Sequence, residues 1–198
     1  MNLQKFAQEI TKLHADCIRQ WKREEQINLQ HEGLLRLAEE NHAFNYQLWH
    51  AEDRARREDQ GYEFVYNAKR EIDHCNQQRN NRMEAMDQTL FKKLNPPAPT
   101  SCSVHSETPG MMIDRLSILA LKYYHMGLQV VREDATPEHQ QMCNNKLQVI
   151  EQQKTQLEIC LDELLREILN KTRTFRVYHQ FKMYNDPTLN PELYRSRS

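Results

Sequence analysis

Glycine is scarce in this chain: only four of its 198 residues are glycine, while 28% are charged. A sheet protein needs more turn glycine and more β-branched residues than this composition supplies. The sequence therefore predicts long amphipathic helices. A chain of this length can bury a core as one domain, without disulfide or metal staples.

An excess of charge of one sign is also lacking. The 27 basic and 28 acidic residues nearly cancel, so no net field favours nucleic acid or an anionic membrane as a partner. The first residues include Lys5 and Glu9, and no apolar run reaches the length of a signal peptide or a membrane span. We expect a cytoplasmic protein with no nucleic-acid partner and no membrane insertion.

The five cysteines are odd in number and widely spaced, and no two form a C-x-x-C pair. This pattern indicates neither a disulfide framework nor a zinc knuckle. We expect reduced and mostly buried thiols.

Apolar residues recur at spacings of three and four through five long segments, as on one face of a helix. Thr108 and Thr136 each place a capping hydroxyl before a proline, which marks two helix starts. The fourth segment is apolar almost all round, so we expect it at the centre, and residues 95–106 are expected to form a loop. The predicted helices run from Leu3 to Glu25, from Gly33 to about Asp59, from just after Gly61 to the prolines at Pro96, from Pro109 to about Arg132, and from Pro137 to about Asn170.

The last residues follow another pattern. Phe175, Val177, Phe181 and Met183 alternate with polar residues, and asparagines and prolines follow. This alternation predicts an extended arm over residues 173–198, packed on the bundle or on a second copy. The fold class is therefore all-α: residues 1–172 form a single elongated bundle of about five long helices, followed by the C-terminal arm. We expect a homo-oligomer, of which a dimer is the simplest.

The pattern Glu-x-x-His occurs at Glu39 and His42 and again at Glu71 and His74, and such pairs supply di-metal ligands in ferritin-like bundles. At about 100° per residue, however, Glu71 and His74 point away from the inward-facing Ile72, toward solvent. The half-motif Glu84 to Asp87 has no partner, and no glycine-rich phosphate loop exists. We expect no metal site and no cofactor.

Polar residues also fall inside the apolar stripes of helices two, three and four. Asp87 is one of them, and so are three candidates for proton transfer, His42, Glu52 and Asp53. The candidate ligand-binding residues are Asn41, Asn45, Trp49, Arg56, Lys69, Asn76, Arg79, Asp114, Arg115 and Lys122.

Two interpretations compete, because interior charges are costly unless they are paired. In one, ion pairs and amides form a closed network that fixes helix register. In the other, Arg79, Arg115 and Lys122 neutralise an anionic ligand in a pocket between helices two, three and four, and Trp49 stacks on a sugar or base. Five histidines are expected at the surface, namely His50, His105, His125, His139 and His179.

Four segments carry a family resemblance: residues 41–53 (NHAFNYQLWHAED), 68–73 (AKREID), 107–116 (ETPGMMIDRL) and 181–187 (FKMYNDP). Together they resemble an uncharacterised bacterial family, domain of unknown function 4254, over nearly the whole chain. The resemblance implies an association with genes for glycosyltransferases and envelope polysaccharides, and hence a sugar or sugar-nucleotide ligand. It carries over no catalytic residue.

We therefore expect a helical binding or accessory protein whose polar inter-helix pocket takes an anionic sugar or sugar nucleotide. A transferase or hydrolase without a recognised motif, using the same pocket, is one alternative. A structural adaptor with a buried salt-bridge network is the other.

Overall fold

A computed structural model describes residues 5–181, 183 and 186–195 of the chain. The predicted all-α bundle is confirmed, since five long helices dominate this part of the chain. None of the described helices is long and apolar enough to cross a membrane. The long helices are α1 Phe6–Glu24, α2 Gly33–Ala55, α3 Tyr62–Leu94, α4 Pro109–Val130 and α5 Pro137–Leu169.

Three short elements complete the fold, namely the strands β1 Ser103–His105 and β2 Arg173–Phe175 and the helix α6 Pro191–Tyr194.

The helix boundaries follow local chemistry. Thr108 and Thr136 accept hydrogen bonds from the backbone N–H groups of Met111 and His139, so both predicted caps are confirmed. Helix α2 ends at Ala55, four residues before the predicted end, and a 3-10 turn follows at Glu58–Gln60. Gly61 then adopts a φ of 89°, which favours glycine, and α3 begins. The predicted start of helix one at Leu3 lies outside the described residues.

Helix α4 lies at the centre of the bundle, because α1, α2, α3 and α5 all pack against it. Its side chains Met112, Ile113 and Leu116 are fully buried in the main core. This is the position that its nearly continuous apolar surface predicted.

Residues 95–106 are not only a loop, which corrects the prediction. Within this segment β1 pairs in parallel with β2, and Val104 lies beside Thr174. Thr174 Oγ1 also donates a hydrogen bond of 2.8 Å to the Pro97 carbonyl. The pattern of 95–106 gave no strand signal because the pairing depends on residues about 70 positions away, which local periodicity does not record.

The chain after α5 packs on the bundle. Phe175 is buried in the main core against Phe91, with 5.6 Å between ring centroids. Further on, Glu84 of α3 pairs with the His179 ring at 2.6 Å and accepts a hydrogen bond from the Gln180 backbone N–H. Of the arm and its quoted motif, Lys182, Tyr184, Asn185 and residues 196–198 lie outside the described residues.

Candidate functional site

A buried polar network joins α2, α3 and α4. Asp114 Oδ1 accepts hydrogen bonds from Asn41 Nδ2 at 3.0 Å and Asn45 Nδ2 at 2.9 Å. Arg79 donates to both Asp114 oxygens, at 3.2 Å from Nε and 2.6 Å from Nη2. The Asp114 side chain is 4% exposed and that of Arg79 is 21% exposed, so the pair is largely withdrawn from water. Asn76 lies at its edge, 3.5 Å from Arg79 Nη1.

Ser117 extends this network to His42, and the sequence interpretation had missed it. Its Oγ lies 2.7 Å from His42 Nδ1 and accepts a 3.0 Å hydrogen bond from Asn45. Ser117 lies three residues after Asp114, on the same face of α4, so helical spacing could have revealed it. Ser117 and His42 are both completely buried, so this pair is closed to any substrate.

His42 packs against His14 of α1, with 4.5 Å between ring centroids. Burial lowers the pKa of His42 to about 3, and burial likewise lowers the pKa of His14 well below its usual value. Both rings are therefore neutral at physiological pH. His42 was a candidate for proton transfer, but it lies inside the bundle rather than in an open pocket.

An open cleft of about 330 Å³ lies directly above the network. Asn45 and Arg79 belong both to its lining and to the network, so the network holds the cleft floor in place. We call it the Trp49 cleft. It is lined by Asn45, Leu48, Trp49, Glu52, Asp53, Arg56, Arg79, Ile118 and Leu121.

The charges of the Trp49 cleft are balanced. Arg56 Nη1 bonds Glu52 Oε2 at 2.8 Å, and Arg79 is bound by Asp114. Asp53 is exposed at the cleft. Each guanidinium thus has a carboxylate partner, and the lining carries no excess positive charge.

Trp49 is supported by a histidine that was expected at the surface. Its indole stacks on the His125 ring at 4.4 Å with an interplanar angle of 7°. Burial, with a smaller contribution from Lys22, lowers the pKa of His125 to about 4. His125 Nε2 is buried, and it makes no hydrogen bond to the described residues. His125, expected at the surface, is thus half-buried, with its Nε2 side withdrawn from water.

His50 is likewise half-buried. Its Nε2 accepts a hydrogen bond of 3.3 Å from Lys22 Nζ, and its ring meets the Tyr46 ring edge-on at 4.8 Å. Burial and the Lys22 charge lower the pKa of His50.

The signal that could have placed His125 is its spacing of four residues from the buried Leu121.

The three cations of the expected single pocket do not come together. Arg79 lines the Trp49 cleft, whereas Arg115 and Lys122 line a different cleft of about 780 Å³ between α4 and α5. Lys69 is exposed and lines neither cleft. The prediction of one pocket is therefore corrected. Arg115 and Lys122 lie on the side of α4 that faces α5, and the periodicity of α4 did not distinguish this side from the one that faces α3.

The Glu-x-x-His pairs have other partners. Glu39 is buried, and its carboxylate accepts backbone hydrogen bonds from Gln30 and His31 at 2.9–3.0 Å. Glu71 pairs with Arg54 instead. Among the described residues, no group of three or more His, Cys, Asp or Glu side chains could hold a metal ion. Their cysteines are free, and Cys17, Cys75 and Cys143 are buried.

Comparison with known proteins gives one relationship. No curated protein and no solved structure matches this chain. The family described as "Protein of unknown function (DUF4254)" matches residues 35–177, which include the network, the Trp49 cleft and most of the bundle. The chain therefore belongs to the DUF4254 family.

Proposed function

We propose that this protein binds a glycosyl ligand in the Trp49 cleft and serves as a binding or accessory protein. The proposal rests on the half-buried Trp49 indole. The His125 ring stacks on one face of this indole, and amide, carboxylate and guanidinium side chains line the same cleft. An aromatic ring packs against the C–H face of a sugar, while carboxylate, amide and guanidinium groups bind its hydroxyls.

The size of the cleft favours a small ligand. Its volume of about 330 Å³ lies at the lower end of the range of small-molecule sites. One sugar unit suits this space better than a complete sugar nucleotide. If the ligand is a sugar nucleotide, its phosphates lie outside the Trp49 cleft.

The charge balance points in the same direction. Arg56 and Arg79 are both engaged by carboxylates, so their attraction for an anion is largely neutralised. A neutral polyhydroxylated group requires no net charge, only fixed donors and acceptors. The Trp49 cleft therefore suits the neutral sugar part of a ligand better than an anionic group.

The contacts favour binding over catalysis. Of the three residues considered for proton transfer, His42 is buried beneath the cleft and Glu52 is paired with Arg56. Asp53 alone is left as an exposed carboxylate there. Acid–base catalysis by a pair of groups would need a second residue beside Asp53, and the described cleft residues supply none without breaking an ion pair.

The buried network favours a structural contribution within the same protein. Asp114 of α4 accepts hydrogen bonds from Asn41 and Asn45 of α2 and from Arg79 of α3, as expected for polar groups that set helix register. Because Asn45 and Arg79 also line the cleft, this structural role and ligand binding are compatible. A purely structural adaptor would leave the Trp49 cleft without an occupant.

The test uses the two tryptophans, whose indole N–H groups give separate signals in a ¹H–¹⁵N spectrum. Neutral hexoses, N-acetylhexosamines and hexose 1-phosphates are titrated into the labelled protein. Binding in the cleft shifts the Trp49 signal. The Trp21 signal stays unchanged because that indole is 1% exposed and bonded to the Asn28 carbonyl, so it serves as an internal control.

The variant Trp49→Leu should weaken binding of the responding sugar about tenfold, the larger end of an aromatic stacking contribution. Tyr62→Leu removes an exposed aromatic ring that does not line the cleft and should leave affinity unchanged. A panel that leaves the Trp49 signal unmoved, or a Trp49→Leu variant with wild-type affinity, would show the glycosyl site to be wrong.

A further inference from the structure

The cleft between α4 and α5 has no role in the glycosyl proposal. It measures about 780 Å³, more than twice the volume of the Trp49 cleft, and Ile118 lines both. The two clefts thus adjoin across one side chain of α4. The lining of the α4–α5 cleft includes His105, Glu107, Arg115 and Lys122, with three glutamines of α5 opposite them.

Arg115 is held in this cleft with part of its donor capacity unused. Its Nη1 donates to both Glu107 oxygens, at 2.7 and 2.8 Å. Within the described part of the chain, Nε and Nη2 make no hydrogen bond. Glu107 therefore orients the guanidinium through a single nitrogen and leaves the other two free to donate to a ligand.

Lys122 adds a second cation on the same side of α4. It lies seven residues after Arg115, which is two turns or about 10 Å along the helix. Its side chain is exposed, and its ammonium group has no ion-pair or hydrogen-bond partner among the described residues. Glu107 is the only carboxylate in the lining, so the cleft carries an excess of one positive charge when His105 is neutral.

The opposite wall, on α5, presents amides rather than carboxylates. Gln152, Gln153 and Gln156 face Arg115 and Lys122 across the cleft, and each amide supplies N–H donors without negative charge. Among the residues that the structure describes, these three side chains make one hydrogen bond, a weak 3.6 Å contact from Gln156 Nε2 to Cys160 Sγ.

We infer that the α4–α5 cleft binds the phosphate groups of a small phosphorylated molecule, through Arg115 and Lys122 with the three glutamines as further donors. Two cations two turns apart suit a diphosphate, whose two groups present several acceptor oxygens, better than a single carboxylate. A cleft of about 780 Å³ between two helices takes a small molecule rather than a membrane or a nucleic-acid strand. The inference stands apart from the glycosyl proposal because it uses different residues and a different probe.

The test is calorimetric titration of the full chain with inorganic pyrophosphate at low ionic strength. Arg115→Gln and Lys122→Gln should each weaken binding about five- to tenfold, as expected for loss of one close ionic contact. The backbone amides of residues 115–122 and 152–156 should shift in the ¹H–¹⁵N spectrum. Circular dichroism and thermal unfolding establish that each variant is folded.

Matched controls come from α3. Arg70 is an exposed arginine paired with one carboxylate, Asp73, and Lys69 is an exposed lysine; neither lines the α4–α5 cleft. Arg70→Gln and Lys69→Gln should leave pyrophosphate affinity unchanged. Equal losses in control and cleft variants would mean non-specific attraction and would overturn the inference.

Two further outcomes also overturn it. One is the absence of binding at pyrophosphate concentrations up to about 10 mM, which is well above the dissociation constant of even a weak specific site. The other is a loss of pyrophosphate binding in Trp49→Leu, which would place the anion in the Trp49 cleft instead of the α4–α5 cleft. An unchanged pyrophosphate affinity in Trp49→Leu, with the losses above, supports a separate anion site even if no sugar binds.

Discussion

At the scale of single residues, His14 has unusual surroundings. It is completely buried in α1, and neither ring nitrogen makes a hydrogen bond to the described residues. A buried polar group without a partner costs roughly 1–3 kcal/mol. His14 therefore contributes packing against His42 while opposing stability through its unsatisfied nitrogens.

Both buried histidines should make stability depend on pH. Their folded-state pKa values are depressed, that of His42 to about 3, while the unfolded chain takes up the same protons near pH 6.5. Stability is then fully present above pH 6.5 and falls as the pH drops toward 3. The slope is at most about 1.4 kcal/mol per pH unit for each histidine. Denaturant unfolding at pH 7.5 and pH 5 measures it.

The variant His14→Leu separates the contributions of the two rings. It removes one depressed pKa and two unsatisfied nitrogens, so it should reduce the pH dependence and keep or raise the free energy of unfolding at pH 7.5. A large loss of stability at pH 7.5, or an unchanged pH slope, would contradict this assignment.

At the scale of secondary-structure elements, the start of α4 is joined tightly to α3. Thr108 caps α4, and the Gly110 backbone N–H donates a 2.7 Å hydrogen bond to Asp87 Oδ1 of α3. Burial raises the pKa of Asp87 to about 6, although contacts from Thr108 and Gly110 oppose the rise. The two helices approach so closely here that a side chain at Gly110 has no room.

The two glycines of α4 give a matched pair of substitutions. A Cβ at Gly110 would lie 2.5 Å from the Met83 carbonyl oxygen, so Gly110→Ala should destabilise the protein by about 1–3 kcal/mol. Gly127 has nothing within 4 Å of an added Cβ, so Gly127→Ala should stabilise it by about 0.5–1 kcal/mol. Thermal unfolding of both variants checks the difference. Equal effects would mean that α3 and α4 are not in contact at Gly110.

At the scale of the whole molecule, the chain after α5 closes the end of the bundle. Lys171 Nζ donates to the carbonyls of Leu94 and Asn95, where α3 ends. The pairing of β2 with β1 then carries Phe175 into the core. The segment after α5 thereby connects to α3, to the 95–106 segment and to α5 itself.

This closure predicts different effects for two phenylalanines. Phe175→Ala removes a fully buried ring and should lower the free energy of unfolding by about 3–5 kcal/mol. Phe181, only six residues later, is 83% exposed, so Phe181→Ala should change it by less than about 0.5 kcal/mol. Chemical denaturation of both variants provides the measurement. A small effect of Phe175→Ala would show that the arm does not belong to the folded core.

Sequence pattern predicted parts of the site as well as the fold. The stripe positions of Asn41, Asn45, Arg79 and Asp114 placed them inside the bundle, and the structure joins them by hydrogen bonds. Periodicity gives the face of a helix but not the neighbour that it meets. It therefore assigned Arg115 to the pocket of Arg79, and it gave His125 no partner although His125 supports Trp49.

The sequence by itself determined the five long helices, the two starts marked by Pro109 and Pro137, and the central place of α4. These features depend on spacing, capping and apolar content within each segment. Only the tertiary structure decided which interior polar residues are buried in the network and which line a cleft. It also separated the two clefts on either side of Ile118 and paired β1 with β2. Those outcomes depend on how helices distant in the chain rotate and approach one another, and local sequence pattern does not encode that.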